Sequence, residues 1–516
     1  MSYLVIVESP NKEKTIQKYL GKDYEVLSSV GHIVKMPAVG SEKLGIDFDN
    51  WEPIYKIEPE KKEVVEKLKK AAKKAELVFI ATDPDREGEA IGENLVHFLG
   101  IENKYKRIKY NEITKAAVLR AIENPSLIDD NLVKAQKSRR MLDRIIGFRL
   151  TNLMTKKMAN YPVRPTAGRV QSIALKLVVD REHEIKDFVP TKYEIIEAKI
   201  NEEISATYYD KKSKFENKEW VNSEDARKIL DSLKGPLKVT DIKLSKKNDA
   251  KISPLKQAVL YKKADMSSKA VQAAAQRLYE GFGDGGLISY PRTDSTRLSE
   301  VFLATARKFV EDKYGKEYVA KDIKGFSGDQ DAHEAIRPTD INLDPVSAQK
   351  KYKLSSSEAK VYSIIYYTTL RAIMTPPMRE ILRYELENVG YTFKLSSSKI
   401  IFDGYAILND KEKNKELPKF KVGEEIKVEK YFSTKHETKP PARYTDGSLI
   451  EKLDEIKVGR PSTFASTVEK ILDRQFVVKE NSSLKATEFG EVVLSKLTGS
   501  FPNEITEDIQ LGSKLI

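Results

Sequence analysis

The feature that most restricts the fold is a strand-rich text that occurs twice. Tyr193 to Ile200 and Leu237 to Ile242 alternate apolar and polar residues, and the alternation returns between 378 and 432, as in Tyr391 to Leu395. Period-two alternation marks strands with one buried face. Residues 255–370, between the two stretches, read as helix broken by one short strand around Tyr290. The economical solution is a single β unit made of two separated segments, with 251–366 inserted into it. A chain of 516 residues is too long for one core, and about 100–200 residues per domain predicts three or four domains.

The first 120 residues alternate strand and helix: an apolar strand at 3–7, a helix from Lys12 to Leu20, a lysine-rich amphipathic helix at 61–76, a strand from Leu77 to Ala81 and a helix from Gly88 to Leu99. That order predicts an α/β unit with a largely parallel sheet. Ligand sites of such sheets lie at the carboxyl ends of the strands, which is where Glu8 and the run Asp83, Asp85, Glu87 fall. The triplet offers hard oxygen ligands suited to Mg²⁺; it reads equally as a charged helix N-terminus. Glu8, beside like charges, becomes a proton donor if its pKa is raised. Lys12 and Lys14 offer phosphate contacts at a helix start, or simply an ordinary strand-to-helix loop.

Farther along, Leu287-Ile288-Ser289-Tyr290-Pro291-Arg292-Thr293-Asp294-Ser295 follows a helix that Ser267 or Ser268 caps and that glycines 281, 283, 285 and 286 break. A tyrosine can attack a phosphodiester and conserve the bond energy as an ester. Its phenol titrates near 10, so it needs cationic neighbours; Arg292, two residues on, shares its strand face. Tyr290 is one of 24 tyrosines, most of which must be structural. His333 and Arg337, four apart, read as one helical face donating to phosphate or as a capped helix with a satisfied histidine. Arg140 and Arg144 are also i, i+4. Arg169 and Gln171 open one amphipathic helix, and Arg460 and Thr463 another, where free backbone N–H groups suit a phosphate.

Charge agrees with a polyanionic partner: Lys plus Arg is 90 against 78 Asp plus Glu, net +12. There is no cysteine, which excludes disulfides and thiolate zinc sites. No apolar run approaches a membrane span, and the N-terminus enters a strand without a signal-peptide pattern. The expectation is a cytoplasmic protein with no membrane partner.

Taken together, Glu8-Ser9-Pro10, Gly31-His32-Ile33, Asp83/Asp85/Glu87, Arg139-Arg140-x-x-Asp143-Arg144, Ala167 to Ser172, Tyr290-x-Arg292-Thr293-Asp294-Ser295, the His333 box and Gly459-Arg460-Pro461-Ser462-Thr463 occur in one order along nearly the whole chain. The chain resembles type IA DNA topoisomerases, nearest the bacterial topoisomerase I group. The resemblance implies a multidomain α/β plus α+β fold: a Rossmann-like Toprim metal domain (1–35 and 62–129), a helical single-strand DNA-binding domain (36–61, 130–187 and 436–516), a discontinuous β-rich gate (188–250 and 367–435) and an inserted helical domain (251–366), closed into a toroid. It implies that Tyr290 is the nucleophile, giving a 5′-phosphotyrosine. Arg292 with Lys12 stabilises the transition state, Glu8 protonates the leaving 3′-oxygen, and His333 assists at the scissile phosphate. Glu8, Asp83, Asp85 and Glu87 hold Mg²⁺. Arg140, Asp143, Arg169, Arg460 and Thr463 line the groove, Arg140 and Asp143 near an upstream cytosine; His32, Arg139, Arg144, Gln171, Asp294, Arg337 and Ser462 are counted with the DNA contacts.

The implied partner is DNA with single-stranded character, bound by a nucleoid-associated monomer that relaxes negative supercoils without ATP and without zinc. Two departures accompany the resemblance. Pro291 stands where a methionine-like residue is usual. The run Glu504 to Ile516 does not continue the usual closing segment, and no cysteine-bearing zinc ribbon is present. A truncated or divergent minimal enzyme is expected. The other readings are a type IA decatenase or reverse-gyrase module, and a catalytically weak single-strand DNA-binding protein.

Overall fold

A computed structural model describes residues 3–158, 161, 163–323, 325, 333–409 and 418–500. The closing segment 504–516 and Asp331 of the His333 box lie outside these residues.

The N-terminal unit carries a four-stranded parallel sheet in the order Tyr24–Ser28, Tyr3–Val7, Leu77–Ala81, Tyr105–Arg107. Its strands are apolar on both faces because both are covered. Leu4 and Ile6 pack into one core with Val65, Leu68 and Leu95 of the helices Lys62–Lys74 and Arg86–Leu99. Val5 and Val7 point the other way, into a core that also holds Tyr279 and Tyr290. Val7 lies opposite Ala81, so Glu8 and the Thr82–Asp83 backbone leave the sheet at the same edge. Helix starts follow at once: Ser9 caps Pro10–Leu20, and Asp85 caps Arg86–Leu99 by accepting the Gly88 N–H at 2.8 Å. Gly88 is required there, because a Cβ would lie 2.0 Å from the Asp83 carbonyl oxygen.

The two strand-rich stretches form one seven-stranded antiparallel sheet, ordered Glu425–Ile426, Leu237–Asn248, Met378–Asn388, Tyr391–Phe402, Ser205–Tyr208, Lys192–Lys199, Lys430–Glu437. Asn248 pairs with Met378, so the inserted segment leaves and re-enters the sheet on two adjacent strands. The helix Ser223–Ser232, whose Ala226 and Ile229 pack on the sheet, stands where the polar pattern predicts a loop. A long helix, Asp130–Lys157, and the helices Arg169–Lys186 and Phe464–Asp473 carry the arginine motifs. Among the described residues no helix is long and apolar enough to cross a membrane.

Two local expectations are corrected. The Tyr290 segment is not a strand: among the described residues its one ladder contact is the bridge Ile288–Pro338. Residues 333–338 are not helical either; Ile336 bridges to Leu255. Pro338 disfavours the α conformation at Arg337, and Pro291 has no N–H for a ladder. His333 and Arg337 therefore do not share a helical face.

Candidate active site

The site is assembled where the inserted lobe meets the carboxyl edge of the parallel sheet. Backbone bonds set the register: Tyr290 N–H donates to the Asn111 carbonyl at 2.7 Å and Gly286 N–H to the Ile113 carbonyl at 2.9 Å. The approach is close enough that a Cβ on Gly285, at φ +124°, would lie 2.8 Å from the Ile113 oxygen. Tyr290 is 2% exposed, and its hydroxyl donates to Asp85 Oδ2 at 2.6 Å. Arg292 Nη1 lies 3.9 Å from the same oxygen. The Tyr290 hydroxyl and the Arg292 guanidinium therefore meet at one carboxylate, although no strand aligns them. Burial, then Asp85 and Asp83, push the Tyr290 phenol well above its ordinary range, and Arg292 opposes them. Burial opposes the charge on Arg292, but Tyr290, Asp85, Asp83 and Glu8 outweigh it and hold the guanidinium protonated.

Behind Tyr290 lies the Glu8–Lys12–Asp83 cluster. Glu8 Oε1 accepts the Asp83 N–H at 2.8 Å. Burial, then Asp83, raises Glu8 to about 7 against the pull of Lys12. Lys12 is 1% exposed and ion-paired with Asp83, so it is an interior charge rather than a surface phosphate contact. Burial disfavours its ammonium, and Asp83 and Glu8 more than restore it. His333, 4% exposed, donates from Nε2 to the Pro84 carbonyl at 2.6 Å, with its ring 5.5 Å from that of Tyr290. Its visible work is to hold the loop carrying Asp83 and Asp85.

Glu87 faces away from this cluster. It accepts from His32 Nε2 at 2.9 Å and Gln136 Nε2 at 3.2 Å, with Arg140 3.7 Å away. Burial raises its pKa, but these partners, His32 foremost, bring it down to about 2. Among the described residues no three His, Cys, Asp or Glu side chains are gathered as a metal-binding group. Glu8, Asp83, Asp85 and Glu87 are each engaged by protein donors instead. Their chemistry still fits Mg²⁺: hard carboxylates, with Asp85 against the Tyr290 hydroxyl.

Family models decide the lineage. One described as DNA topoisomerase matches residues 127–511, and a Toprim domain model matches 3–113. The chain belongs to the bacterial type IA topoisomerase I family. DNA topoisomerase 1 of Campylobacter jejuni subsp. jejuni is 38% identical over 536 residues, covering 98% of this chain and 76% of that protein. The structure of full-length topoisomerase I from Thermotoga maritima matches with a TM-score of 0.87 at 37% identity, over 99% of this chain and 85% of that one. The family match extends through Glu504 to Leu511, a stretch expected to depart from the family pattern.

The arginine motifs converge on one region. Arg169 Nε and Nη2 both reach Asp143 Oδ1 at 2.9 Å, and Arg139 Nε lies 3.7 Å from Asp143 Oδ2. Burial lowers the Arg139 pKa; Asp143 opposes this, while Arg169, Arg460 and Arg86 add to it. Thr463 Oγ1 accepts the Arg460 N–H at 3.0 Å and fixes the turn ahead of its helix, with Ser462 exposed beside it. Gln171 donates to Thr166 Oγ1 at 3.1 Å, and Asp294 is half-buried beside the Tyr290 loop. Arg144 departs from the groove reading: it donates to the Met36 carbonyl at 2.5 Å and covers the Phe148 ring at 4.6 Å.

Arg337 departs further. It is 3% exposed, its Nη1 2.6 Å from Glu112 and its Nη2 2.7 Å from Glu334. Glu112 belongs to the sheet unit, so this pair ties the inserted lobe to it. Arg337→Met is expected to cost about 3 kcal/mol, since it strands the buried Glu334 carboxylate and the half-buried Glu112. Chemical denaturation checks this; loss of single-strand DNA affinity at unchanged stability would instead restore Arg337 as a DNA contact.

Sequence reasoning missed Arg107. It is 0% exposed; Nε bonds Glu89 at 2.9 Å, Nη1 the Thr82 carbonyl at 2.9 Å and Nη2 the Asp83 carbonyl at 2.8 Å. It fixes the backbone from which Asp83 projects. The available signal was an arginine ending a strand, with Glu89 facing inward from the first turn of a helix.

Proposed function

We propose that the chain cleaves one DNA strand through Tyr290, passes a strand through the gap and religates, relaxing negatively supercoiled DNA without ATP. The observation that carries this is the Tyr290 hydroxyl, buried against Asp85 beside Arg292 at the meeting of two lobes. The Tyr290 oxygen attacks phosphorus, the bond from phosphorus to the 3′-oxygen breaks, and a 5′-phosphotyrosine forms. The phenol proton leaves toward Asp85, its present acceptor. Glu8, protonated in a fraction of molecules near neutral pH, gives a proton to the departing 3′-oxygen and recovers it on religation. Arg292 and the Lys12 ammonium offset the charge that develops on the phosphoryl oxygens. Asp83 and Asp85, with Glu8 as a further donor, would hold Mg²⁺, which would supply Lewis-acid charge there; Glu87 would have to leave His32 and Gln136 to join them. Arg139, Arg140, Arg169 and Arg460 hold the strand by its phosphates.

Incubation with negatively supercoiled plasmid, Mg²⁺ and no nucleotide should give a ladder of relaxed topoisomers. Affinity for a single-stranded oligonucleotide should fall steeply with salt, with a log–log slope of about −0.7 per phosphate neutralised. DNA binding without relaxation would contradict the enzyme reading, and a flat salt response would contradict the arginine groove.

A further inference from the structure

Tyr279, on the helix Ser268–Glu280, has no role in the reaction as derived above. It is 0% exposed, yet its hydroxyl has no hydrogen-bond partner among the described residues. Buried polar groups are nearly always paired, and one that is not calls for a reason such as a ligand that completes it. Its surroundings are the reaction centre. The Tyr279 ring meets that of Tyr290 edge-to-face, with centroids 5.3 Å apart and planes at 70°. The Lys12 ammonium, itself paired with Asp83, stands over the Tyr279 ring at 5.2 Å. Tyr290 belongs to the inserted lobe and Lys12 to the sheet unit. One ring therefore touches Tyr290 from its own lobe and the Lys12 ammonium of the facing lobe.

Burial, then Asp83, Tyr110, Glu8 and Glu280, raise the Tyr279 phenol well above its ordinary range, so it remains a neutral donor. A neutral O–H held beside carboxylates, with no acceptor, is suited to an oxygen that gains charge only when DNA reacts.

We propose that Tyr279 is a further residue of the cleavage reaction: its ring holds Tyr290 and Lys12 in register across the closed interface, and its hydroxyl donates to an oxygen of the DNA strand at the break. This rests on the reading of Tyr290 as the nucleophile.

The test compares Tyr279→Phe, Tyr279→Leu and Tyr290→Phe with wild type, in the full chain. Single-turnover adduct formation and equilibrium affinity are measured on one labelled single-stranded oligonucleotide. Phe removes only an unpartnered hydroxyl, so thermal stability should hold or rise. Adduct formation by Tyr279→Phe should slow about 10- to 100-fold at unchanged affinity. Leu, which also removes the ring, should be slower still at unchanged affinity. Cleavage by Tyr279→Phe at the wild-type rate overturns the hydroxyl's role. Equal rates for Leu and Phe overturn the ring's role, and a Phe defect that saturating DNA abolishes reduces Tyr279 to a binding contact. Should Leu fail to fold, the Phe arm still decides the hydroxyl. Adduct formation by Tyr290→Phe would instead show that the underlying reading of the nucleophile had failed.

Discussion

Tyr290→Phe is expected to abolish both the covalent DNA adduct and plasmid relaxation, a loss of at least about 10³-fold, while affinity for single-stranded DNA stays within twofold or so. The change removes one oxygen, the atom whose proton Asp85 accepts at 2.6 Å. The ring remains packed against Tyr279 and His333, so the fold should hold. Two readouts separate chemistry from binding: a denaturing gel for the adduct and a titration with labelled oligonucleotide. Equal adduct formation by both proteins would remove Tyr290 from the reaction. Parallel loss of adduct and affinity would make Tyr290 a binding residue.

Glu8→Gln should slow cleavage about 10²- to 10⁴-fold, the usual range for a positioned acid. The pH dependence makes the test specific. The Glu8 carboxyl is raised to about 7, so the protonated donor predominates below that pH and is lost above it. Metal-free cleavage by wild type should therefore show a limb that descends as pH rises through neutrality. If, as proposed, the Glu8 carboxylate takes the proton back on religation, that limb should rise over the same interval. In Glu8→Gln both limbs should flatten near neutrality. A descending limb that survives in Glu8→Gln would assign the proton to another group.

The scaffold of the site was legible because periodicity and strand ends are local properties. Glu8 and Asp83 emerge together because Val7 and Ala81 lie in register, a relation that parallel strands impose. The inserted lobe was legible because alternation stops and resumes, and Asn248 and Met378 do pair at the join. What the sequence could not show was the facing of side chains. Asp83, Asp85 and Glu87 are two apart, yet the helix start at Arg86 turns Glu87 toward His32 and Gln136. Arg337 looked like an anion contact but is held by Glu112, 225 positions away in sequence. Local pattern carries no information about so distant a partner. Tyr279 was invisible for a similar reason: a tyrosine near the end of an amphipathic helix reads as core, and only the assembled interface puts Lys12 on its ring.

The central claim is that cleavage needs the two lobes together and strand passage needs them apart. Lys18 and Asp284 face each other across that boundary, Nζ to Oδ1 at 3.2 Å, and both side chains are exposed. The chain has no cysteine of its own, so Lys18→Cys with Asp284→Cys gives a unique pair for a short, reducible bis-thiosulfonate cross-linker, which bonds each thiol with loss of sulfinate. Linked protein should form the covalent adduct with a short oligonucleotide at the unlinked rate, yet fail to relax plasmid until the linker is cut. Relaxation at full rate with the linker intact would contradict the account.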